Sequence, residues 1–251
     1  MKNALLYEED KRGVISITLN RPEKQNALTP EIIESFLKHL QDITQSKTAR
    51  ILQITATGDH FCSGADLEWM KSSLELPKKE NRKDAKRLAD LYYALYHLTL
   101  PTIAIVRGNV YGGGLGIVAC CDFVFANKDS STFCFSEVKL GLAPATIAPY
   151  VVSAIGERAA LHYFLSAEKF NSDIALKIGL ISGLSGEGPS KLIEQLLNNS
   201  QKAMQLTKRL VRSISSIDEC FYEDTVDLIA NLRQSSEAQL RLTQFLNKMS
   251  G

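Results

Sequence analysis

Residues 103–121, IAIVRGNVYGGGLGIVACC, place three consecutive glycines between two apolar runs. Flexible glycine linkers usually lie in polar, solvated sequence, whereas this run is enclosed by aliphatic residues. Gly112-Gly113-Gly114 therefore predicts a buried turn from a strand into a helix, where the backbone comes very close to another group. Amides at the start of such a helix stabilise negative charge, either of a phosphate or of an oxyanion that forms during a reaction.

The glycine run matches neither of the common phosphate-binding motifs. A P-loop requires Lys and then Ser or Thr directly after its last glycine, but Leu115 and Gly116 follow here. The dinucleotide motif G-x-G-x-x-G fails because Ile117 occupies its sixth position. An oxyanion-type role is therefore favoured over phosphate binding, and a turn needed only for packing stays open as the alternative.

A second turn could supply a further amide. TGDHFCSGADL, residues 57–67, follows an apolar run at residues 51–55, so it is predicted to leave the end of a buried strand. Asp66 could cap a helix that begins at Leu67, which would leave the Ala65 amide at the mouth of the turn. One amide from each turn could bind the same carbonyl oxygen. The alternative is that both are ordinary strand-to-helix loops.

Composition and charge are those of an ordinary globular protein. The chain has 251 residues, of which 45% are hydrophobic and 23% charged, and a formal net charge of +1. This balance gives no electrostatic basis for binding nucleic acid or a membrane surface. The five cysteines have neither metal-ligand nor disulfide spacing and are expected to be reduced, buried thiols. Without a leader or an apolar run of membrane-spanning length, we expect a cytoplasmic protein.

Strand and helix patterns alternate along most of the chain. Residues 4–7 and 14–19 predict a β-hairpin, Thr29-Pro30 predicts the start of a helix, and further strands are expected at 51–55, 102–106, 123–126 and 132–135. The polar stretch 74–87 predicts a mobile loop that leads into a helix. Together they predict an α/β fold with a core at residues 1–188 and a helical module at residues 189–251.

Five motifs, in order and spacing, resemble the enoyl-CoA hydratase/isomerase (crotonase) superfamily: NRPEKQNAL (20–28), FCSGADL (61–67), GNVYGGG (108–114), CD (121–122) and SEVKLGLAP (136–144). The resemblance extends to residues 245–248 and so covers nearly the whole chain. It implies a crotonase-type spiral of ββα units whose C-terminal helices mediate trimer formation. It also implies an acyl-CoA thioester as substrate, no other cofactor, and a homotrimer or hexamer.

The same resemblance implies the catalytic groups. The thioester oxygen would accept hydrogen bonds from the amides of Ala65 and Gly113, and Glu137 would transfer the proton. Aromatic neighbours in FCFSEV, residues 133–138, are expected to desolvate this carboxyl and raise its pKa. The alternative is a charge at a strand end that faces solvent. Two-glutamate hydratases have another glutamate at the position of Gly116, and glycine cannot transfer a proton.

The resemblance further implies residues that contact CoA or the acyl chain. Phe245 and Lys248 are expected to reach CoA from a neighbouring subunit, with a core phenylalanine and a solvated lysine as the alternative. The complete expected set is Lys24, Ala65, Asp66, Leu67, Glu68, Gly112, Gly113, Gly116, Phe245 and Lys248. No metal site is expected, because no ligand spacing supports one.

Residues 137–158 are most similar to the bacterial methylglutaconyl-CoA and isohexenylglutaconyl-CoA hydratase-like branch, in which glycine at the position of residue 116 is common. This resemblance implies hydration of the 2,3 double bond of an enoyl-CoA, with branched or carboxylated acyl chains among the candidates. Fatty acid metabolism or branched-chain amino acid catabolism would supply such substrates. The alternatives are a single-glutamate enoyl-CoA isomerase and a catalytically silent protein that binds acyl-CoA.

Overall fold

The computed structural model describes residues 3–214 and 219–250, in which nine strands form two sheets. The strands are β1 (Leu5–Glu9), β2 (Val14–Leu19), β3 (Ile51–Ala56), β4 (Thr102–Val106), β5 (Asn109–Tyr111), β6 (Phe123–Ala126), β7 (Thr132–Cys134), β8 (Phe170–Asn171) and β9 (Gly183–Leu184). The larger sheet has the order β1-β2-β3-β4-β6-β9 and the smaller one β5-β7-β8.

Strands of the larger sheet are parallel except at one edge, where β1 pairs with β2 as the predicted hairpin. Parallel neighbours need crossover connections, which the helices between them supply. The short strands β5, β8 and β9 were not predicted from the sequence. They are two or three residues long, so they carry too little alternation to be recognised by pattern.

Ten α-helices occur in the described part of the chain. They are α1 (Pro30–Gln45), α2 (Leu67–Ser73), α3 (Lys78–His97), α4 (Gly113–Cys120), α5 (Ala148–Ser166), α6 (Ser172–Lys177), α7 (Gly188–Asn198), α8 (Gln201–Ile214), α9 (Glu219–Arg233) and α10 (Ser236–Ser250). Two short 3-10 helices span Pro22–Lys24 and Glu137–Leu140. Within residues 3–214 and 219–250, no helix is long and apolar enough to cross a bilayer.

Helix α1 forms where the sequence predicts it. The Thr29 side chain caps it by accepting a hydrogen bond from the Ile32 amide at 3.3 Å, and Pro30 occupies the first helical position. Its apolar face is buried through Ile32, Ile33, Phe36, Leu40 and Ile43. Because burial of one face supplies most of a helix's stability in a protein, this amphipathic pattern could be recognised from the sequence.

The predicted loop at residues 74–87 is wrong over most of its length, because α3 already begins at Lys78. Lys, Glu and Arg are good helix formers, and Pro77 stands directly before the helix. The helical turns at residues 78–87 are stabilised by tertiary contacts, since Asn81, Asp84 and Ala85 are buried and α3 packs along α9. The sequence alone did not reveal this partner helix.

The C-terminal helices contact the core at several places. Helix α9 lies along α3, and α10 packs against α2 and against the 3-10 helix Glu137–Leu140. The packing of α10 is close: a Cβ on Gly141 would lie 2.9 Å from the Cα of Ala238. The predicted boundary between the core and the helical module, between residues 188 and 189, falls at the start of α7. This domain division stays a prediction, and so does a role of the C-terminal helices in trimer formation.

Candidate active site

The two glycine-containing turns lie side by side. The Cys62 amide donates to the Asn109 carbonyl at 3.1 Å, and the Tyr111 amide donates to the Cys62 carbonyl at 2.9 Å. Cys62 and Val110 thereby form an isolated parallel bridge between the loop after β3 and strand β5. A Cβ on Gly64 would lie 4.0 Å from the Cα of Gly112, so the turns are in close contact.

Ala65 is held in place by hydrogen bonds of its two neighbours. The Leu28 amide donates to the Gly64 carbonyl at 2.8 Å, and the Asp66 amide donates to the Leu28 carbonyl at 2.9 Å. The Ala65 amide itself has no acceptor within residues 3–214 and 219–250. An amide fixed in this way, in a half-buried residue, is free to donate to a ligand.

The second candidate amide begins helix α4. Gly112 precedes the helix with φ 47° and ψ −118°, a conformation that favours glycine, and its amide donates to the Cys134 carbonyl at 3.2 Å. Gly113 is the first helical residue, where an amide has no partner within its own helix. In the described part of the chain the Gly113 amide has no other acceptor either. The positive end of the helix dipole adds to its attraction for negative charge.

Glu137 lies directly beside this turn. It opens the 3-10 helix that follows β7, and its Oε1 atom is 3.4 Å from the position that a Cβ on Gly112 would take. The residue as a whole is half-buried, but its Oε2 atom is closed off from solvent and has no hydrogen-bond partner in the part of the chain described. Burial raises the pKa of Glu137 from its usual 4.5 to about 7, which is the direction expected from the sequence.

Gly116, the position at which the family resemblance implies the missing glutamate, has no room for a side chain. A Cβ there would lie 2.5 Å from Cγ2 of Ile147 and 2.5 Å from Cε1 and Cζ of Tyr92. Both neighbours are buried. The volume that a residue-116 side chain would need is therefore filled by the protein's own core.

Apart from the three glycines of α4 and its turn, the residues expected to contact CoA or the acyl chain fall into two groups. Lys24 and Glu68 are exposed and their side chains meet, with Nζ 3.5 Å from Oε1. Asp66 caps α2 by accepting from the Glu68 amide at 2.9 Å, and it also accepts from Arg21 at 3.3 Å. These residues, with the half-buried Leu67, surround the turn that carries the Ala65 amide.

Phe245 and Lys248 form the other group, on α10. Phe245 is half-buried and Lys248 is exposed. Their helix packs against α2 and against the 3-10 helix that carries Glu137. Their contact with CoA stays a prediction.

Sequence reasoning did not identify Tyr92 as part of the site. The Tyr92 hydroxyl donates to the Gly113 carbonyl at 2.8 Å, and the ring lies beside Gly116. A buried tyrosine usually needs a hydrogen-bond partner for its hydroxyl, and this need was the signal in the sequence that could have identified Tyr92. Four cysteines, Cys62, Cys120, Cys121 and Cys134, are free and buried as expected, while the side chain of Cys220 lies outside the described part.

Comparison with known proteins identifies the family of this chain. Residues 9–250 match the family model of the enoyl-CoA hydratase/isomerase family, and the chain belongs to that family. An enoyl-CoA isomerase/hydratase of Mycosarcoma maydis is 30% identical over 218 residues, which are 82% of this chain and 77% of that protein.

Solved structures share the fold. An enoyl-CoA hydratase from Shewanella pealeana aligns with a TM-score of 0.82 and 36% identity, over 98% of this chain and 94% of the other. One from Mycobacterium avium aligns with a TM-score of 0.88 and 28% identity, over 99% and 98% of the two chains. The α/β crotonase fold expected from the sequence is thus confirmed.

Proposed function

We propose that this chain is an enoyl-CoA hydratase in which the Ala65 and Gly113 amides bind the thioester oxygen and Glu137 transfers the proton. The observation that carries the proposal is the carboxyl of Glu137, which is buried, has an unpartnered Oε2 atom and lies next to the glycine turn. A pKa near 7 lets the group act as base and then as acid at neutral pH.

Hydration needs only one carboxyl if the same proton is taken and returned. The Glu137 carboxylate takes a proton from water while the water oxygen bonds to C3 of the enoyl chain. The C2=C3 electron pair moves toward the thioester oxygen, whose charge the two amides stabilise. Protonated Glu137 then delivers the proton to C2, and water has been added. Preorganised amide donors of this kind contribute about 3 to 4 kcal/mol each to the stability of the transition state.

The alternative reaction is isomerisation. The packing around Gly116 is the observation that favours isomerisation over hydration. With Tyr92 and Ile147 in that space, no second carboxyl can lie there to help hold a water molecule. A single carboxylate could instead remove a proton from C2 of a 3-enoyl thioester and return it to C4. The enolate would be stabilised by the same two amides.

The acyl chain is proposed from sequence resemblance alone. A branched or carboxylated chain would fit the methylglutaconyl-CoA hydratase-like branch, but the packing at Gly116 leaves no extra space at that position. Room for a branch must therefore come from elsewhere in the site. Assembly as a homotrimer or hexamer, a cytoplasmic location, and roles in fatty acid metabolism or branched-chain amino acid catabolism belong to the same proposal.

The experiment that tests the function is a screen of four thioesters: crotonyl-CoA, 3-methylcrotonyl-CoA, 3-methylglutaconyl-CoA and a 3-enoyl-CoA. Absorbance of the conjugated thioester follows the reaction, and mass spectrometry identifies the product. A product heavier by one water supports the hydratase, whereas an isobaric product with new conjugation supports the isomerase. Binding of all four without turnover would mean a silent acyl-CoA binding protein and would overturn both reactions.

A further inference from the structure

Tyr92 forms hydrogen bonds with both ends of helix α4, the helix that begins with Gly113. Its hydroxyl donates to the Gly113 carbonyl at 2.8 Å, and its own carbonyl accepts from the Cys120 thiol at 3.4 Å. Gly113 and Cys120 are the first and last residues of α4. A single residue of α3 therefore forms hydrogen bonds with both ends of α4.

The contact at Gly113 is unusually close. A Cβ on Gly113 would lie 2.9 Å from the Tyr92 hydroxyl oxygen and 3.2 Å from Cδ1 of Leu28. Leu28 is the residue whose amide and carbonyl hold Gly64 and Asp66 on either side of Ala65. Tyr92 and Leu28 therefore both lie against Gly113, and Leu28 also holds the turn that carries the Ala65 amide.

We propose that Tyr92 is a positioning residue of the oxyanion site, which fixes Gly113 through its carbonyl so that the Gly113 amide faces the thioester oxygen. This inference rests on the proposed function, because it assigns Tyr92 to the same site. Tyr92 is completely buried and acts through Gly113 rather than on the reacting atoms. Its position in α3 also explains why no motif of the sequence includes it.

The hydroxyl is suited to a permanent donor role. Burial raises the pKa of the Tyr92 hydroxyl well above its usual value, with smaller contributions from nearby groups that include Cys62 and Glu137. It therefore keeps its proton over the whole pH range of an assay. Because this hydrogen bond is already formed, the Gly113 amide that it positions needs no reorganisation when charge develops on the substrate.

The test is Tyr92→Phe, which keeps the ring beside Gly116 and removes only the hydroxyl. The matched control is Tyr96→Phe, one turn further along α3 and equally buried, but without a hydrogen bond to Gly113. For each protein we would measure kcat and KM on the substrate found by the screen. We would also measure the Kd of butyryl-CoA and of its thioether analogue, S-butyl-CoA, which lacks the carbonyl.

We expect Tyr92→Phe to lower kcat about five- to tenfold, the size of one hydrogen bond. It should lower the preference for butyryl-CoA over S-butyl-CoA by a similar factor, while the Kd of S-butyl-CoA stays within about twofold. Tyr96→Phe should change neither quantity. Installing 3-fluorotyrosine at position 92 keeps the hydroxyl donor and replaces one ring hydrogen with a slightly larger fluorine, so kcat should stay within about twofold. This variant also provides a test if Tyr92→Phe does not fold.

Three results would overturn the proposal. Tyr92→Phe could retain the kcat and thioester preference of the wild type, or it could weaken both ligands equally, as a packing defect would. The 3-fluorotyrosine protein could lose the thioester preference although it retains a donor. A wild type that binds thioester and thioether equally would instead show that the two amides do not bind the carbonyl, so the proposed function itself would fail.

Discussion

Cys62 and Val110 form a parallel bridge that joins the loop after β3 to the strand leading into the glycine turn. They are far apart in the sequence, and the bridge places the turn that carries Ala65 beside the turn that carries Gly113. The hydrogen bonds around it involve backbone groups, so the arrangement depends on chain geometry more than on side chains. A substitution that tests it must therefore change an amide or a backbone angle.

Glu137→Gln should lower kcat by about two to four decades with little change in the Kd for acyl-CoA, because the shape is kept and only proton transfer is lost. Steady-state kinetics on the substrate found by the screen measures the effect. Glu157→Gln, the same change at an exposed position of α5, is the matched control and should retain full activity. Near-normal turnover of Glu137→Gln would remove Glu137 from the mechanism.

The raised pKa of Glu137 also predicts how stability depends on pH. Below pH 4.5 the carboxyl is neutral in both the folded and the unfolded chain. Between pH 4.5 and about 7 the unfolded chain releases the proton while the folded chain keeps it, so folding becomes less favourable as pH rises. At about 1.4 kcal/mol per pH unit over this range, the cost reaches at most about 3 to 4 kcal/mol.

Urea unfolding of wild type and Glu137→Gln at pH 5 and pH 8 measures this cost. Glutamine does not ionise, so the variant should gain stability relative to the wild type as pH rises. In the active enzyme, kcat/KM should rise with pH through about 7 as Glu137 becomes a base. An equal difference in unfolding free energy at both pH values would mean that Glu137 ionises normally.

Two variants of Gly113 separate crowding from loss of the amide. Gly113→Ala adds a Cβ 2.9 Å from the Tyr92 hydroxyl but keeps the amide N–H. Gly113→Pro adds that Cβ together with two further ring carbons, and it removes the N–H. Proline is tolerated at the first position of a helix, so the chain should fold. We expect the kcat of Gly113→Pro to be about 10² to 10³ times lower than the kcat of Gly113→Ala. Equal activity of the two folded variants would rule out this amide as a donor.

Gly116→Glu tests whether the position can accept a second carboxyl. Its Cβ would lie 2.5 Å from the side chains of Tyr92 and Ile147, so we expect destabilisation of about 1 to 3 kcal/mol or more and no gain in crotonyl-CoA hydration. Gly116→Ala, measured by the same thermal and chemical unfolding, should be destabilised for the same reason. If Gly116→Glu instead folded stably and hydrated crotonyl-CoA faster, the space at this position would have to open in solution.

Asp66→Ala should destabilise the turn that holds Ala65. The Asp66 carboxylate caps α2 and accepts from Arg21, so its loss should cost about 1 kcal/mol of unfolding free energy and weaken binding of butyryl-CoA. Asp66→Asn keeps a capping oxygen and should recover most of the stability. Equal stability of wild type and Asp66→Ala would show that the cap contributes nothing measurable.

Local signals fixed much of the fold in advance. The hairpin of β1 and β2, the cap at Thr29, the buried face of α1 and the cap at Asp66 all follow from residues close in sequence. The glycine run and the turn at residues 61–67 likewise predict backbone amides with no partner. Glycine and capping residues act through short-range geometry, so their effects can be derived from the sequence.

Tertiary structure decided the rest. Only the folded chain shows that residues 78–87 are helical, because their buried face packs on α9, which lies more than a hundred residues away. Only the folded chain places Tyr92 against Gly113 and fills the space beside Gly116 with its ring. The sequence determined which backbone amides and which carboxyl are the candidates for catalysis. Packing between distant segments determined their neighbours, because side-chain contacts across the core depend on the position of every element at once.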